Sequence, residues 1–331
     1  MKQFPIYDLT QIRDLLKQGD VLAAVRKAFV MHMRGETICP SAGELLFSEP
    51  PGDCHIKYGH LKDDDFFIVK LATGFYNNPQ LGLPTNNGLV AVLSKLTGET
   101  LAIFDDQGWL TSWRTAASGV IAAQIGAPSG KKRLGIIGTG HQAELQAMWI
   151  VQNMDIEDVV IWGRSLEKAQ ALCTKLKAMD IHANPVTDIK DVFDACRLVV
   201  TCTPSSEPLV RAEYVQPGTH IVALGADSEG KQEVAEAVLG IADIVYVDDV
   251  KQSSSYGELS HAVKAGKVSL DVVFTIGEAL SGAAPQRSNN DQITIADLTG
   301  LAAHDIAMAG LLLQRSQHIT KLAGQFIEAA R

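Results

Sequence analysis

The chain has 331 residues, 46% of them hydrophobic and 20% charged, with a formal net charge of −9. This is the composition of a globular protein with a large core, and the length favours two domains. The acidic balance and the absence of any long Lys/Arg block exclude nucleic acid and an anionic membrane surface as expected partners.

The opening MKQFPIYDLTQIRDLL lacks the apolar run of a signal peptide, and no stretch approaches a membrane span. A cytoplasmic location is expected. Residues 8–34 predict a helix, with Ile12, Leu15, Leu16, Leu22, Val25 and Phe29 at helical spacing and Asp8 or Thr10 as its cap. Residues 36–105 predict strands: IKYG, FFIVKLATG and GLVAVLS are β-rich runs divided by turn signals. Lys70 sits inside one of these runs. It either snorkels at a sheet edge or faces a pocket, and the alternating pattern does not choose. Arg114, in TSWRTAASG, stands near the start of a helix over 116–125. A cation there opposes the helix dipole, so it calls for an anionic partner or a surface salt bridge.

After a linker at 127–130 the pattern changes to strand, glycine turn, helix. Leu134 to Ile137 form a short apolar run, Gly138-Thr139-Gly140-His141-Gln142-Ala143 follow, and a helical pattern continues from Leu145. Gly138 allows a tight turn, Gly140 lets backbone N–H groups approach a pyrophosphate, and Ala143 packs the helix on the strand. The helix start adds a partial positive charge. The next strand, 159–162, ends at Gly163-Arg164-Ser165. An acid at this point would bond an adenosine ribose and select NAD; an arginine accommodates a 2′-phosphate and selects NADP. The alternative for Arg164 is a solvent-facing start to the helix over 166–179. Strands at 198–203, 219–224 and 244–247 alternate with helices at 189–195 and 231–239, which predicts a doubly wound parallel sheet. Its strand ends at 138–140, 201–204 and 225–227 should line one crevice. Asp227 is the acid–base candidate there, or else a cap for the helix that follows. To give up a proton it would need apolar burial that raises its pKa from about 3.9; ionised, it could stabilise positive charge or relay a proton.

The end of the chain, 301–313, is apolar nearly all round and predicts a buried helix. It would pack on the first domain or on another subunit. The first domain would then be discontinuous, 1–126 plus 302–331, with a dinucleotide-binding domain at 127–301 inserted. Five cysteines lack CxxC spacing and read as reduced thiols. The nine histidines form no metal-binding pattern, and His55 and His60 are their closest pair.

Six segments taken in order carry a family likeness: GLPTNNG at 82–88, SWRTAASG at 112–119, GIIGTGHQAE at 135–144, TPSSEP at 203–208, GADSEGKQE at 225–233 and TIADLTGLAAHD at 294–305. Together they resemble the ornithine cyclodeaminase/μ-crystallin family over nearly the whole chain. The resemblance implies a homodimer with a Rossmann-type domain inserted into an α+β substrate and dimerisation domain. It implies that Lys70 meets the substrate carboxylate and that Arg114 lies between substrate and cofactor. Thr85, His141, Gln142, Thr203, Leu224 and Lys231 fall at cofactor-contacting positions, and Asp227 at the catalytic aspartate. Thr299, in the closing segment, joins the substrate-binding candidates. Two departures touch the pocket. Many members carry an upstream substrate arginine, but none lies between Arg34 and Arg114 here, and Lys57 stands in for that charge. Leu298 replaces a common serine.

The expected activity is NAD(P)H-dependent reduction of a small cyclic imino acid, giving L-proline or L-pipecolate. NADPH is the expected cofactor, with NADH as the alternative, because WGRS carries no acid at the end of the second strand. Ornithine cyclodeaminase and then alanine dehydrogenase are the rival activities. A non-catalytic binding protein would have no need to keep Lys70, Arg114 and Asp227 together.

Overall fold

The computed structural model describes residues 4–75, 77–130 and 132–329, with side chains described up to 316. Lys131, at the head of the glycine segment, lies outside the described residues. The chain forms two compact units, Met1–Arg114 with Ala302–Arg331, and Thr115–Leu301. The division falls inside the helix Trp109–Gly126 rather than in the linker after it. Hydrogen bonds explain this. The carbonyl of Thr115 accepts from Gln146, that of Ala122 from His220, and that of Gly126 from Arg287 and Thr294. The C-terminal part of the helix is thereby tied to the second unit.

The first unit is built on a seven-stranded, mostly antiparallel sheet in which Phe66–Phe75 lies between Pro51–Leu61 and Asn86–Ser94. The helical segment over 8–34 is two helices, Leu9–Leu15 and Gln18–Met33. Asp8 caps the first through a reciprocal box with Gln11, as its position predicts. The break comes at Leu16 and Lys17, both extended, where Asp20 accepts from the Lys17 N–H and starts a new helix. The closing helix begins at Ala302 and runs on to Ala329.

The second unit is an eight-stranded parallel sheet with helices between its strands. From edge to edge the strands are Ala183–Val186, Ile156–Trp162, Lys132–Ile137, Leu198–Thr201, His220–Ala223, Thr294–Asp297, Ile244–Val247 and Val273–Thr275. The middle strands are buried along their length, Leu134, Ile136, Ile137, Val199, Val200 and Ile221 having no exposed surface. Each such side chain contributes about 1.5–3 kcal/mol, which is why these runs read as continuously apolar rather than alternating. The order of the strands reverses between Lys132–Ile137 and Leu198–Thr201. That switch point is where an open parallel sheet leaves a crevice at its carboxyl ends. The helix expected over 231–239 is only Glu236–Gly240. Residues before it are extended, because Val234 bridges Val210 and the Glu233 carbonyl accepts from the N–H groups of Leu209 and Val210.

Candidate active site

The glycine turn follows the strand Lys132–Ile137 at the switch point. Gly138 has φ 141°, and a Cβ there would come within 2.9 Å of the Cys202 sulfur, so only glycine fits. A Cβ at Gly140 would meet nothing within 4 Å. Gly140 is the N-cap of the helix His141–Asn153 and brings no capping side chain to its first N–H groups. Open space in front of a helix start with uncapped donors is a cradle for phosphate oxygens. His141 and Gln142 make the first turn of that helix, and burial lowers the His141 pKa.

A cavity of about 210 Å³ runs along these strand ends. It is lined by Gly138 to Gly140, by Arg164, Ser165 and Lys168, and by Thr203 and its neighbours. Arg164 and Ser165 therefore open on the same space as the glycine turn. Ser165 caps the helix Leu166–Lys177 by accepting from the Lys168 N–H. Lys168, absent from the sequence-derived set, adds a second cation to this end. Its spacing of four from Arg164 on a helix start was the available signal.

Thr203 lines the cavity, but its N–H and hydroxyl both donate to the buried carboxylate of Glu233, at 2.6 and 2.8 Å. Leu224, just past the strand His220–Ala223, is nearly buried and bonds Thr201 through its N–H. Asp227 follows in the same turn. It caps no helix there: its carboxylate accepts from Lys231 at 2.7 Å, and its side chain is half exposed. The apolar burial that proton donation from an aspartate requires is therefore absent. A carboxylate beside an ammonium suits electrostatic stabilisation or a proton relay.

Thr299 is fully buried, and its hydroxyl donates to Asp248 at 2.7 Å while accepting from Gln252 at 2.8 Å. Its hydroxyl proton is spent inside the second unit, which is at odds with the substrate contact expected of it.

The first unit holds the other predicted residues. Thr85 lies in the loop before Asn86–Ser94, and its carbonyl accepts from the Phe75 N–H. Lys57 and Lys70 are directly opposite each other on paired strands, so their side chains leave the same face of the sheet. Two like charges in that position destabilise a sheet unless an anion answers them. Asp305, from the closing helix, lies 2.7 Å from Lys70 and 3.5 Å from the Nε of Arg114. Lys70 is 2% exposed, which rules out the snorkelling alternative, and Arg114 is 7% exposed. Burial is the largest influence on Lys70 and pulls its pKa down to about 8, against the opposing pull of Asp305. Burial would raise the Asp305 pKa, but Lys70, Arg114 and Lys57 together hold it below the ordinary carboxylate value. Asp305 is not singled out from sequence, although as the one acid in the apolar run 301–313 it carries a signal. Among the described residues no group of three His, Cys, Asp or Glu side chains is placed to hold a metal ion, and no helix is long and apolar enough to cross a membrane.

A parallel sheet with this strand order, a Gly-x-Gly turn at its switch point and a cavity along the strand ends make a dinucleotide-binding α/β unit. The chain belongs to the ornithine cyclodeaminase/mu-crystallin family, whose model matches residues 6–318. It is 34% identical over 322 residues to an alanine dehydrogenase of Archaeoglobus fulgidus, covering 97% of each chain. It is 30% identical over 309 residues to a Δ1-pyrroline-2-carboxylate reductase of Bacillus cereus, covering 92% of this chain and 94% of the relative. Among solved structures, an archaeal alanine dehydrogenase dimer with bound NAD superposes with a TM-score of 0.86 at 32% identity, covering 96% of this chain and 97% of the other.

Proposed function

We propose that the chain is an NAD(P)H-dependent reductase of a small cyclic imino acid, Δ1-pyrroline-2-carboxylate or Δ1-piperideine-2-carboxylate, yielding L-proline or L-pipecolate. The observation that carries this reading is the buried Lys70–Asp305–Arg114 cluster, a pair of cations on a single carboxylate with Lys57 opposite Lys70. The carboxylate of an α-imino acid is an anion that buried cations of this kind can bind. The glycine turn, His141, Gln142, Leu224 and the Thr203 loop hold the dinucleotide. When bound, the reduced nicotinamide supplies a hydride.

Lys70 and Arg114 fix the substrate's carboxylate, with Lys57 as the lesser contributor, and so orient the C=N bond. Lys70 is also a proton source, since a pKa near 8 leaves it protonated but ready to give up a proton at neutral pH. Asp227, held by Lys231, stabilises the protonated imine nitrogen, which is the better electrophile. Arg164, Ser165 and Lys168 form a cationic, hydrogen-bonding end to the cavity that favours NADPH over NADH. The five cysteines are free, in keeping with a cytoplasmic location. The strand Gly43–Ser48 exposes Leu45 and Phe47 on one face and Leu46 on the other, at 54%, 43% and 74%, apolar surface suited to a second copy of the chain in a homodimer.

A second reading, reductive amination of pyruvate, is favoured by the full-length likeness to an alanine dehydrogenase. Ammonia separates the two. The purified protein should oxidise NADPH with pyrroline-2-carboxylate alone. Turnover only with pyruvate plus ammonia would install the second reading, and ammonia release from ornithine without NADPH consumption would point to cyclodeaminase chemistry.

A further inference from the structure

The dinucleotide unit contains a buried carboxylate that the chemistry above leaves unused. Glu233 has no exposed surface. Its Oε1 accepts from the N–H of Thr203 at 2.6 Å and from the Thr203 hydroxyl at 2.8 Å. Its Oε2 accepts from the hydroxyl of Thr201 and from the N–H of Gly225, both at 2.7 Å. One side chain thus bonds the ends of two neighbouring strands, Leu198–Thr201 and His220–Ala223. Both ends run directly into the proposed site. Thr203 begins the loop that lines the cavity, and Gly225 stands two residues before Asp227.

The clamp is itself anchored. The Glu233 and Val234 N–H groups donate to the two oxygens of Glu258 at 2.7 and 3.0 Å, and the Glu233 carbonyl accepts from Leu209 and Val210. Gly225 is required at the other side, since a Cβ there would strike the Thr203 carbonyl and lie 2.5 Å from the Glu233 carboxylate. Burial raises the Glu233 pKa, and the hydrogen bonds from Thr201, Thr203 and Gly225 work against that rise. A carboxylate bonded by four donors, each of them neutral, holds its neighbours by direction as well as charge, because each lone pair is assigned to one donor.

We propose that Glu233 is the positioning residue of the dinucleotide site, fixing the Thr203 loop and the Gly225–Asp227 turn at a set separation so that the cofactor and Asp227 are presented together. This rests on the dinucleotide reading of the unit. Glutamine at 233 has one accepting atom and one donating group, so it keeps the volume but must face a backbone N–H with its own N–H₂. Either the Thr203 end or the Gly225 end is then released. Thr201→Val is the matched control, since it removes one bond to the carboxylate and leaves both backbone bonds in place.

Three readouts apply: amide hydrogen exchange of the cofactor-free protein, NADPH affinity by nicotinamide fluorescence, and steady-state kinetics. Glu233→Gln should speed exchange in peptides spanning 201–206 or 224–229. It should raise the NADPH Kd about tenfold and lower kcat about tenfold or more, with the imino-acid KM changed by less than about threefold. Thr201→Val should stay within about threefold of wild type in every readout. Should Glu233→Gln not fold, Glu233→Asp, one methylene shorter and unable to reach both strand ends, is read by exchange at 201–206 and 224–229, where acceleration in either supports the clamp and wild-type exchange in both overturns it. Equal losses in Glu233→Gln and Thr201→Val would mean a purely structural role, and wild-type behaviour of Glu233→Gln would mean none; either overturns the proposal. If the wild type itself binds no dinucleotide, the reading of the unit has failed and the clamp falls with it.

Discussion

The two units bury charge in opposite ways. In the first, Lys70 and Arg114 converge on Asp305, whose Oδ1 makes no hydrogen bond among the described residues and lies 3.5 Å from the Nε of Arg114. In the second, Asp248 accepts from the N–H groups of Asp249 and Gly300 and from the hydroxyls of Ser253 and Thr299. Glu233 is saturated in the same manner. Burying a charge is costly unless the surroundings replace its water. Backbone N–H and hydroxyl groups placed by the fold do most of this in the second unit, although burial still holds Glu233 above its ordinary pKa, and the result is architecture. The first unit does it with opposite charges, Lys70 and Arg114 against Asp305, and Asp106 adds a second buried carboxylate within electrostatic reach of Lys70. Buried cations brought together in this way suit the reception of an anionic ligand. The contrast separates a carboxylate that holds the protein from one that prepares a ligand site.

The sharpest way to test that division lies with Asp227, an acid of the second unit that accepts a hydrogen bond from the Lys231 ammonium. Half exposed and paired with Lys231, it belongs on the chemical side. Asp227→Asn keeps the shape and removes the charge. We expect kcat to fall about 10²–10⁴-fold while NADPH affinity stays within about twofold. A kcat within about threefold of wild type would move Asp227 to the architectural side.

Arg164 gives the next largest effect. A charge-assisted bond to a 2′-phosphate is worth about 1.5–3 kcal/mol, or roughly ten- to a hundredfold in affinity. Arg164→Asp should reverse the preference from NADPH to NADH, measured as the ratio of kcat/KM. Equal efficiency of the two cofactors in the wild type would remove the phosphate role. Lys168 on the same cavity wall should retain part of the preference in Arg164→Ala.

Lys70 tests the other half of the contrast. Lys70→Ala leaves Arg114 as the near cation and should raise the imino-acid KM at least about tenfold, or abolish turnover. The pH dependence has a definite sign. The protonated ammonium binds carboxylate, so affinity is full below the Lys70 pKa of about 8 and is lost as pH rises through it. KM should climb by up to about tenfold per pH unit above that point, and the climb should vanish in Lys70→Arg, whose guanidinium stays charged. A flat KM between pH 7 and about 9.5 in the wild type would contradict a carboxylate held by Lys70.

The legibility of the sequence follows the same division. The glycine turn, the alternation of strand and helix and the position of Arg164 rest on local signals, namely apolar runs, turn residues and fixed offsets, and they stand in the fold where the sequence places them. Lys70 was legible only as two alternatives. Strand periodicity says which residues share a face but not what covers that face, and the answer, Asp305, is 235 residues away. Glu233 was misread as part of a helix over 231–239. Its charged neighbours suit a helix locally, but the bridge to Val210 and the carboxylate of Glu258 impose an extended chain. In both cases the missing information was a partner distant in sequence.

Thr299 is the smallest expected effect on activity and the most direct check on the contrast. The sequence makes it a substrate-binding candidate, whereas its hydroxyl donates to Asp248 and accepts from Gln252. Thr299→Val preserves shape and deletes the hydroxyl. Asp248 keeps donors from Asp249, Ser253 and Gly300, so it is weakened rather than orphaned. The loss of a buried bond to a charged acceptor costs about 1.5–3 kcal/mol, which for a chain of this size lowers Tm by only a few degrees. If the hydroxyl is architectural, the variant should melt earlier and yet show an imino-acid KM within about twofold of wild type. A KM raised about tenfold with unchanged Tm would place Thr299 against the substrate. It would also mean that a carboxylate fully served by backbone and hydroxyl donors can still lend one of those donors to a ligand, so that saturation alone would no longer mark a buried acid as architecture.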